Sequence, residues 1–162
     1  MASMKIEYYH ASKYGNGAMV AEEFKRLMAA KGVTVNIHHI RDVRPKELAP
    51  ADLYVFSSPG RFGKPIGDMQ GFLKKVQLAP GTRCAILTTE IAPQPDKKAG
   101  KVSIDEGACQ KVLPLMNQML QAKGLTKVAE QRVYVVGIKG PLEEGWQKKV
   151  EAFAGSIPVD GK

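Results

Sequence analysis

Hydrophobic and polar positions follow two periods along this chain, and the periods alternate. Met4 to Tyr9 is a short β-favouring run containing Ile6, Tyr8 and Tyr9, which predicts a strand. From Ala18 to Lys31 the spacing becomes helical: Val20, Phe24, Leu27 and Met28 share one face, and Glu22, Glu23, Lys25 and Arg26 the other. Gly32 marks the end of that helix. Val33 to Ile40 sets Val33, Val35 and Ile37 against Thr34, Asn36 and His38, the alternation of a half-covered strand. A polar connection broken by Pro45 and Pro50 leads into Asp52 to Ser57, a near-continuous apolar run expected to be a strand covered on both faces. Arg83 to Thr88 reads the same way, with a helix over Asp68 to Val76 between the two. Ile104 to Lys123 is the longest helical pattern, and Pro114 is expected to kink or split it. Gln131 to Ile138 predicts a fifth strand. Pro141 to Ser156 predicts a closing helix, with Leu142, Trp146, Val150 and Phe153 at helical spacing.

Buried strands joined by helices imply a parallel sheet with helices on both faces. The expected fold class is α/β: a doubly wound five-stranded parallel sheet in an α/β/α sandwich. One domain over 4–156 accounts for the pattern, with residues 1–3 set aside as a flexible or foreign start. At 162 residues the chain can bury a substantial core. No segment reaches the roughly 18 apolar residues of a membrane span, and no apolar run near the start suggests a secretory signal. Cys84 and Cys109 belong to no CxxC pair or Cys/His cluster, so we expect two buried free thiols in a cytoplasmic protein, with no metal site. The 24 Lys and Arg against 16 Asp and Glu give a net charge of +8. That balance favours phosphates, anionic membrane surfaces or acidic proteins. The basic residues are dispersed, and no nucleic-acid-binding signature accompanies them.

In a sheet of this type ligands sit outside the carboxyl ends of the strands, where the strand order reverses. Three connections qualify: Ala11 to Gly17, Ser58 to Gly67, and Thr89 to Val102. The first has the parts of an anion site, with a hydroxyl on Ser12, glycines at 15 and 17, and the N-terminus of the next helix. It lacks both the GK[ST] ending of a Walker loop and the GxGxxG spacing. On its residues alone it is an anion cradle or a plain turn. Of the three histidines, His10, His38 and His39, His10 ends the first strand, within reach of the site, and is expected to be structural.

Taken together, "ASKYGNG" after the first strand and "SSPGRFGKPIGDMQGFLKKV" after the third resemble the flavodoxin-like family. Members of that family bind FMN through a Ser/Thr-x-Thr-Gly-Asn-Thr phosphate loop and a Ser-Pro-x-x-Phe-Gly-type loop. The resemblance places Ser12, Lys13, Tyr14, Gly15, Asn16 and Gly17 on the phosphate loop. It places Ser58, Pro59, Gly60, Arg61, Phe62 and Gly63 beside the isoalloxazine, and Thr88, Thr89 and Glu90 at its pyrimidine edge. Tyr14 and Gly17 stand where the family has threonines. The aromatic that many flavodoxins stack on the flavin from the third loop is missing, which leaves Phe62 as the stacking candidate, worth about 1 kcal/mol. Gly60 is expected to present its peptide carbonyl to flavin N5, and Arg61 to favour the negatively charged reduced flavin by Coulomb attraction.

The resemblance implies an electron carrier with FMN as cofactor and a redox partner protein. Typical flavodoxins are acidic, so a charge of +8 points to an acidic partner, ferredoxin-like or a reductase. Peripheral contact with an anionic membrane is compatible with the same charge. Two alternatives stay open. One is a flavin-dependent oxidoreductase of the quinone reductase or protoporphyrinogen oxidase type, whose members share a similar Arg-aromatic-Gly loop. The other is a basic binding module that has kept the fold without the cofactor.

Overall fold

The computed structural model describes residues 4–61, 64–65, 67–91, 95–96, 101–102, 112–136 and 140–159. Five strands form the main sheet: β1 (Lys5–His10), β2 (Thr34–His39), β3 (Leu53–Arg61), β4 (Arg83–Ile91) and β5 (Thr126–Val135). Their order is β2-β1-β3-β4-β5, with every neighbouring pair parallel. Among the described residues four α-helices cover it: α1 (Asn16–Ala29), α2 (Gly67–Lys75), α3 (Val112–Gln121) and α4 (Trp146–Ser156). This is the doubly wound α/β/α sandwich expected from the alternation of apolar runs and amphipathic stretches.

Two cores flank the sheet. On one face Val20, Phe24 and Met28 of α1 and Val150 and Phe153 of α4 pack on Ile6, Tyr8, Val55 and Leu87. On the other, Met69, Phe72 and Leu73 of α2 and Met116 and Leu120 of α3 pack on Tyr9, Phe56, Cys84 and Ile86. Alternate residues of β1, β3 and β4 thus feed opposite cores, which is why those strands read as unbroken apolar runs. Cys84 is a buried free thiol, and burial raises its pKa to about 11. Cys109 lies outside the described residues. Among the described residues no helix is long and apolar enough to cross a membrane, and no His, Cys, Asp or Glu cluster could hold a metal.

Several boundaries differ from expectation. β5 begins at Thr126, because an edge strand paired only with β4 exposes part of one face and carries Lys127, Glu130 and Arg132 among its apolar positions. Residues 140–145, which precede α4, are not helical. Leu142 pairs antiparallel with Val135, and Gly145 enters the helix with φ +79°. Leu142 still reaches the α1–α4 core, which explains its helical spacing with Trp146 and Val150. Pro114 stands third in α3 as described; the earlier part of the expected helix, 104–111, lies outside the described residues. β3 and β4 continue past the apolar runs, so Ser58 to Arg61 and Thr89 to Ile91 are strand rather than loop. Gly60 and Arg61 then pair with a two-residue strand, Lys64–Pro65, in a hairpin.

Candidate functional site

The sheet order reverses between β1 and β3. From β1 the chain moves outward to β2 and then returns to β3, so the connections after β1 and β3 diverge at their carboxyl ends. The register puts His10 beside Ser57, Ser58 beside Thr88, and Pro59 beside Thr89. The segments selected from sequence, around Ser12, Ser58 and Thr88, therefore rise from three adjacent strands at one edge.

The connection after β1 is short. Ala11 continues the ladder, its N–H donating to the Ser57 carbonyl at 3.2 Å. Ser12 then turns the chain: its Oγ accepts from the Gly15 N–H at 3.0 Å. Gly15 enters α1 with φ +89°, a conformation that strains any residue with a Cβ. Its carbonyl accepts the first full helical bond, from Met19 N–H at 3.0 Å, so Gly17 and Ala18 carry amides of the open first turn. Gly17 is pressed against Ser12, and a Cβ there would lie 3.2 Å from the Ser12 Cβ. The absence of a side chain at Gly17 thus allows Ser12 to pack over the helix start. Lys13 and Tyr14 face solvent, Tyr14 with 54% of its surface exposed. The Asn16 side chain fills the space beside Gly140, in the connection before α4.

Two histidines close the other side of this turn. The Ser12 N–H donates to His10 Nδ1 at 3.2 Å, and His39 Nε2 lies 3.0 Å from the Ser12 carbonyl oxygen. His10 is buried, and its pKa is lowered to about 4, first by desolvation and then by His39 and Arg41. The role of His39 was not legible from its own neighbours in sequence. The signal that could have revealed it is topological: His10 and His39 end adjacent parallel strands and are register partners.

On β3 and β4 the site residues are largely buried. Ser58 Oγ donates to the Pro59 carbonyl at 2.9 Å. Gly60 is closely packed: a Cβ would lie 2.7 Å from Val112 Cγ2 and 3.4 Å from Glu90 Cγ. Arg61 pairs with Lys64 along the backbone, and Phe62 and Gly63 lie outside the described residues. Thr88 and Glu90 turn toward the α2–α3 side. The Glu90 carboxylate accepts from Thr88 Oγ1 at 2.6 Å and from Arg132 Nε at 3.1 Å, both at Oε2. Its Oε1 is buried with no hydrogen-bond partner among the described residues. Desolvation raises the Glu90 pKa, against the lowering effects of Thr88 and Arg132. Arg132 on β5 is the partner that sequence reading did not find; the β4–β5 register, Thr88 beside Arg132, supplies it. Thr89 is buried on the strand between them.

Such an edge can do three things: offer helix-start amides to an anion, pack a planar group along β3, and present buried polar groups at β4. No protein-family model matches the chain, and no curated protein sequence does. Solved structures do match it along nearly all its length. Flavodoxin 2 from Bacillus cereus, in its oxidised form, superposes with a TM-score of 0.73 at 17% identity, covering 94% of this chain and 96% of that one. A flavodoxin of Streptococcus pneumonia TIGR4 gives 0.70 at 18% identity over 94% and 96%. A flavodoxin from the domain Archaea gives 0.70 at 17% over 93% and 94%. The chain has the flavodoxin fold.

Proposed function

We propose that this chain binds FMN at the carboxyl edge of β1, β3 and β4 and acts as a flavodoxin-like electron carrier in the cytoplasm, exchanging electrons with an acidic protein partner. The observation that carries the reading is the convergence of the three sequence-selected segments on adjacent strands beside the point where the strand order reverses.

The residues present suit that cofactor. Ser12, Lys13, Tyr14, Gly15, Asn16 and Gly17 would hold the phosphate, chiefly through backbone amides at the start of α1 and secondarily through the Ser12 hydroxyl. The close fit of Gly17 over Ser12 keeps the turn compact enough for that role. Ser58, Pro59, Gly60 and Arg61, with Phe62 and Gly63, would line the ring system. Thr88, Thr89 and Glu90 would meet its pyrimidine edge, where the buried Oε1 of Glu90, unpartnered among the described residues, is a polar atom in want of a donor. Bound FMN supplies the one- and two-electron chemistry. The chain's own task is to fix orientation, exclude water, and carry a cationic residue, Arg61, in the segment that would line the ring.

Carriage is tested by loading the protein with FMN, reducing it chemically, and mixing it with an acidic ferredoxin-type acceptor. Rapid transfer that slows as salt rises is expected, because a charge of +8 steers an acidic partner. Steady turnover of quinone with NAD(P)H by the protein alone would favour the oxidoreductase reading instead.

A further inference from the structure

Ser12 is held by both of its backbone groups, and each is held by a histidine at the end of a different strand. Hydrogen-bond chemistry fixes which nitrogens carry protons. The Ser12 carbonyl can only accept, so His39 Nε2, 3.0 Å away, must donate to it. The other nitrogen of that ring, Nδ1, accepts from the Arg41 N–H at 3.2 Å and therefore has no proton. His10 Nδ1 accepts from the Ser12 N–H at 3.2 Å and is likewise bare. The two rings meet edge to face, with centroids 5.1 Å apart. A proton on His10 Nδ1 would set two N–H groups against each other and release the amide side of Ser12.

We propose that His10 and His39 are paired positioning residues for the turn after β1, and that they preset it for a phosphate monoester only while His10 Nδ1 is unprotonated. The identity of that ester as FMN rests on the reading above; the clamp itself rests on the hydrogen bonds. The titratable and charged groups facing His10 are His39 and Arg41, both on the β2 side. From β3 it meets Ser57, which does not titrate. Burial and these neighbours lower the His10 pKa to about 4, keeping it an acceptor in neutral solution.

The test compares FMN with riboflavin, which lacks the phosphate, across wild type, His10→Leu, His10→Asn, His39→Leu and His39→Gln. Asparagine restores an acceptor near the place of His10 Nδ1, and glutamine restores a donor near the place of His39 Nε2; neither titrates. The leucine variants are expected to bind FMN about tenfold more weakly with riboflavin binding unchanged, and the amide variants to recover most of the loss. Between pH 7 and pH 4, FMN affinity should fall more steeply in wild type than in the His10→Asn, His39→Gln double variant, which controls for titration of the phosphate itself. Unchanged FMN affinity in both leucine variants, or equal losses for FMN and riboflavin, would overturn the clamp.

Nitrogen NMR of the imidazoles in the unaltered protein tests the geometry even if a leucine variant does not fold. A proton on His10 Nδ1 at neutral pH would overturn the proposal. Should wild type take up neither flavin, inorganic phosphate separates the two ideas. Shifts of the Ser12 and Gly15 amides seen in wild type but lost in both His10→Asn and His10→Leu, or retained in both, would overturn the clamp, because only asparagine keeps the acceptor. Shifts retained in His10→Asn and lost in His10→Leu uphold the clamp and reject the flavin reading, and no shift in wild type rejects both.

Discussion

Gly60 shows how little room a single position in this site has. A Cβ there would stand 2.7 Å from Val112 Cγ2, closer than two carbons can approach. Gly60→Ala should therefore destabilise the fold by about 1–3 kcal/mol through overpacking. In Val112→Ala the obstructing methyl is gone, so the double variant should lose less than the sum of the singles; urea denaturation of the four proteins gives the comparison. Titration adds a second residue-level expectation, with opposite signs at two positions. The folded-state pKa of His10 is about 4 against an ordinary value of 6.5, so the unfolded chain binds its proton more readily. Its contribution to stability is present above pH 6.5 and is lost as pH falls toward 4. The Glu90 pKa is raised from 4.5 by desolvation, so its burial is least costly at low pH and opposes folding more as pH rises through its folded pKa. Denaturation midpoints between pH 4 and pH 7 should accordingly rise less steeply in His10→Asn than in wild type. They should rise more steeply in Glu90→Gln, which removes the opposing carboxylate; parallel curves for all three proteins would contradict both assignments.

Between elements, the α1–α4 contact is the one most directly open to measurement. Phe24 and Phe153 are fully buried, with ring centroids 5.4 Å apart and planes tilted by 49°. Either Phe→Ala change should cost about 3–5 kcal/mol, and the pair should show a coupling of about 0.5–1.5 kcal/mol in a double-mutant cycle. Much of this layer was legible beforehand, because Val20, Phe24 and Met28 repeat at helical spacing and do face the core. β1, β3 and β4 were legible for a related reason: strands fed into two cores leave almost no polar gap. β5 was located too far along the chain because an edge strand does not need that continuity, and Lys127, Glu130 and Arg132 interrupt its apolar pattern. Pro141 to Gly145 deceived in the opposite direction. Leu142 keeps helical spacing with Trp146, yet it reaches the core from a bridge to Val135.

At the scale of the whole molecule, the sequence reveals which segments could form a site, and topology explains why they meet. Ser12, Ser58 and Thr88 belong to three segments far apart along the chain, yet two of them are register neighbours and all rise from one edge. What motif reading could not supply was support from residues on other strands. His39 reaches Ser12 from β2, and Arg132 reaches Glu90 from β5, so both partnerships exist only once the strand order is known. The net charge also acts at this scale. Association with an acidic partner should slow markedly between low and physiological salt, as the screening length falls to about 8 Å, and stopped-flow mixing reads that dependence. The central claim is that this edge holds FMN by its phosphate. Titration of the purified protein with FMN, followed by quenching of flavin fluorescence and paired with riboflavin, tests it most directly. The account predicts saturable uptake of one FMN per chain, with riboflavin bound at least about tenfold more weakly; a protein that takes up neither flavin, or both equally well, would contradict it.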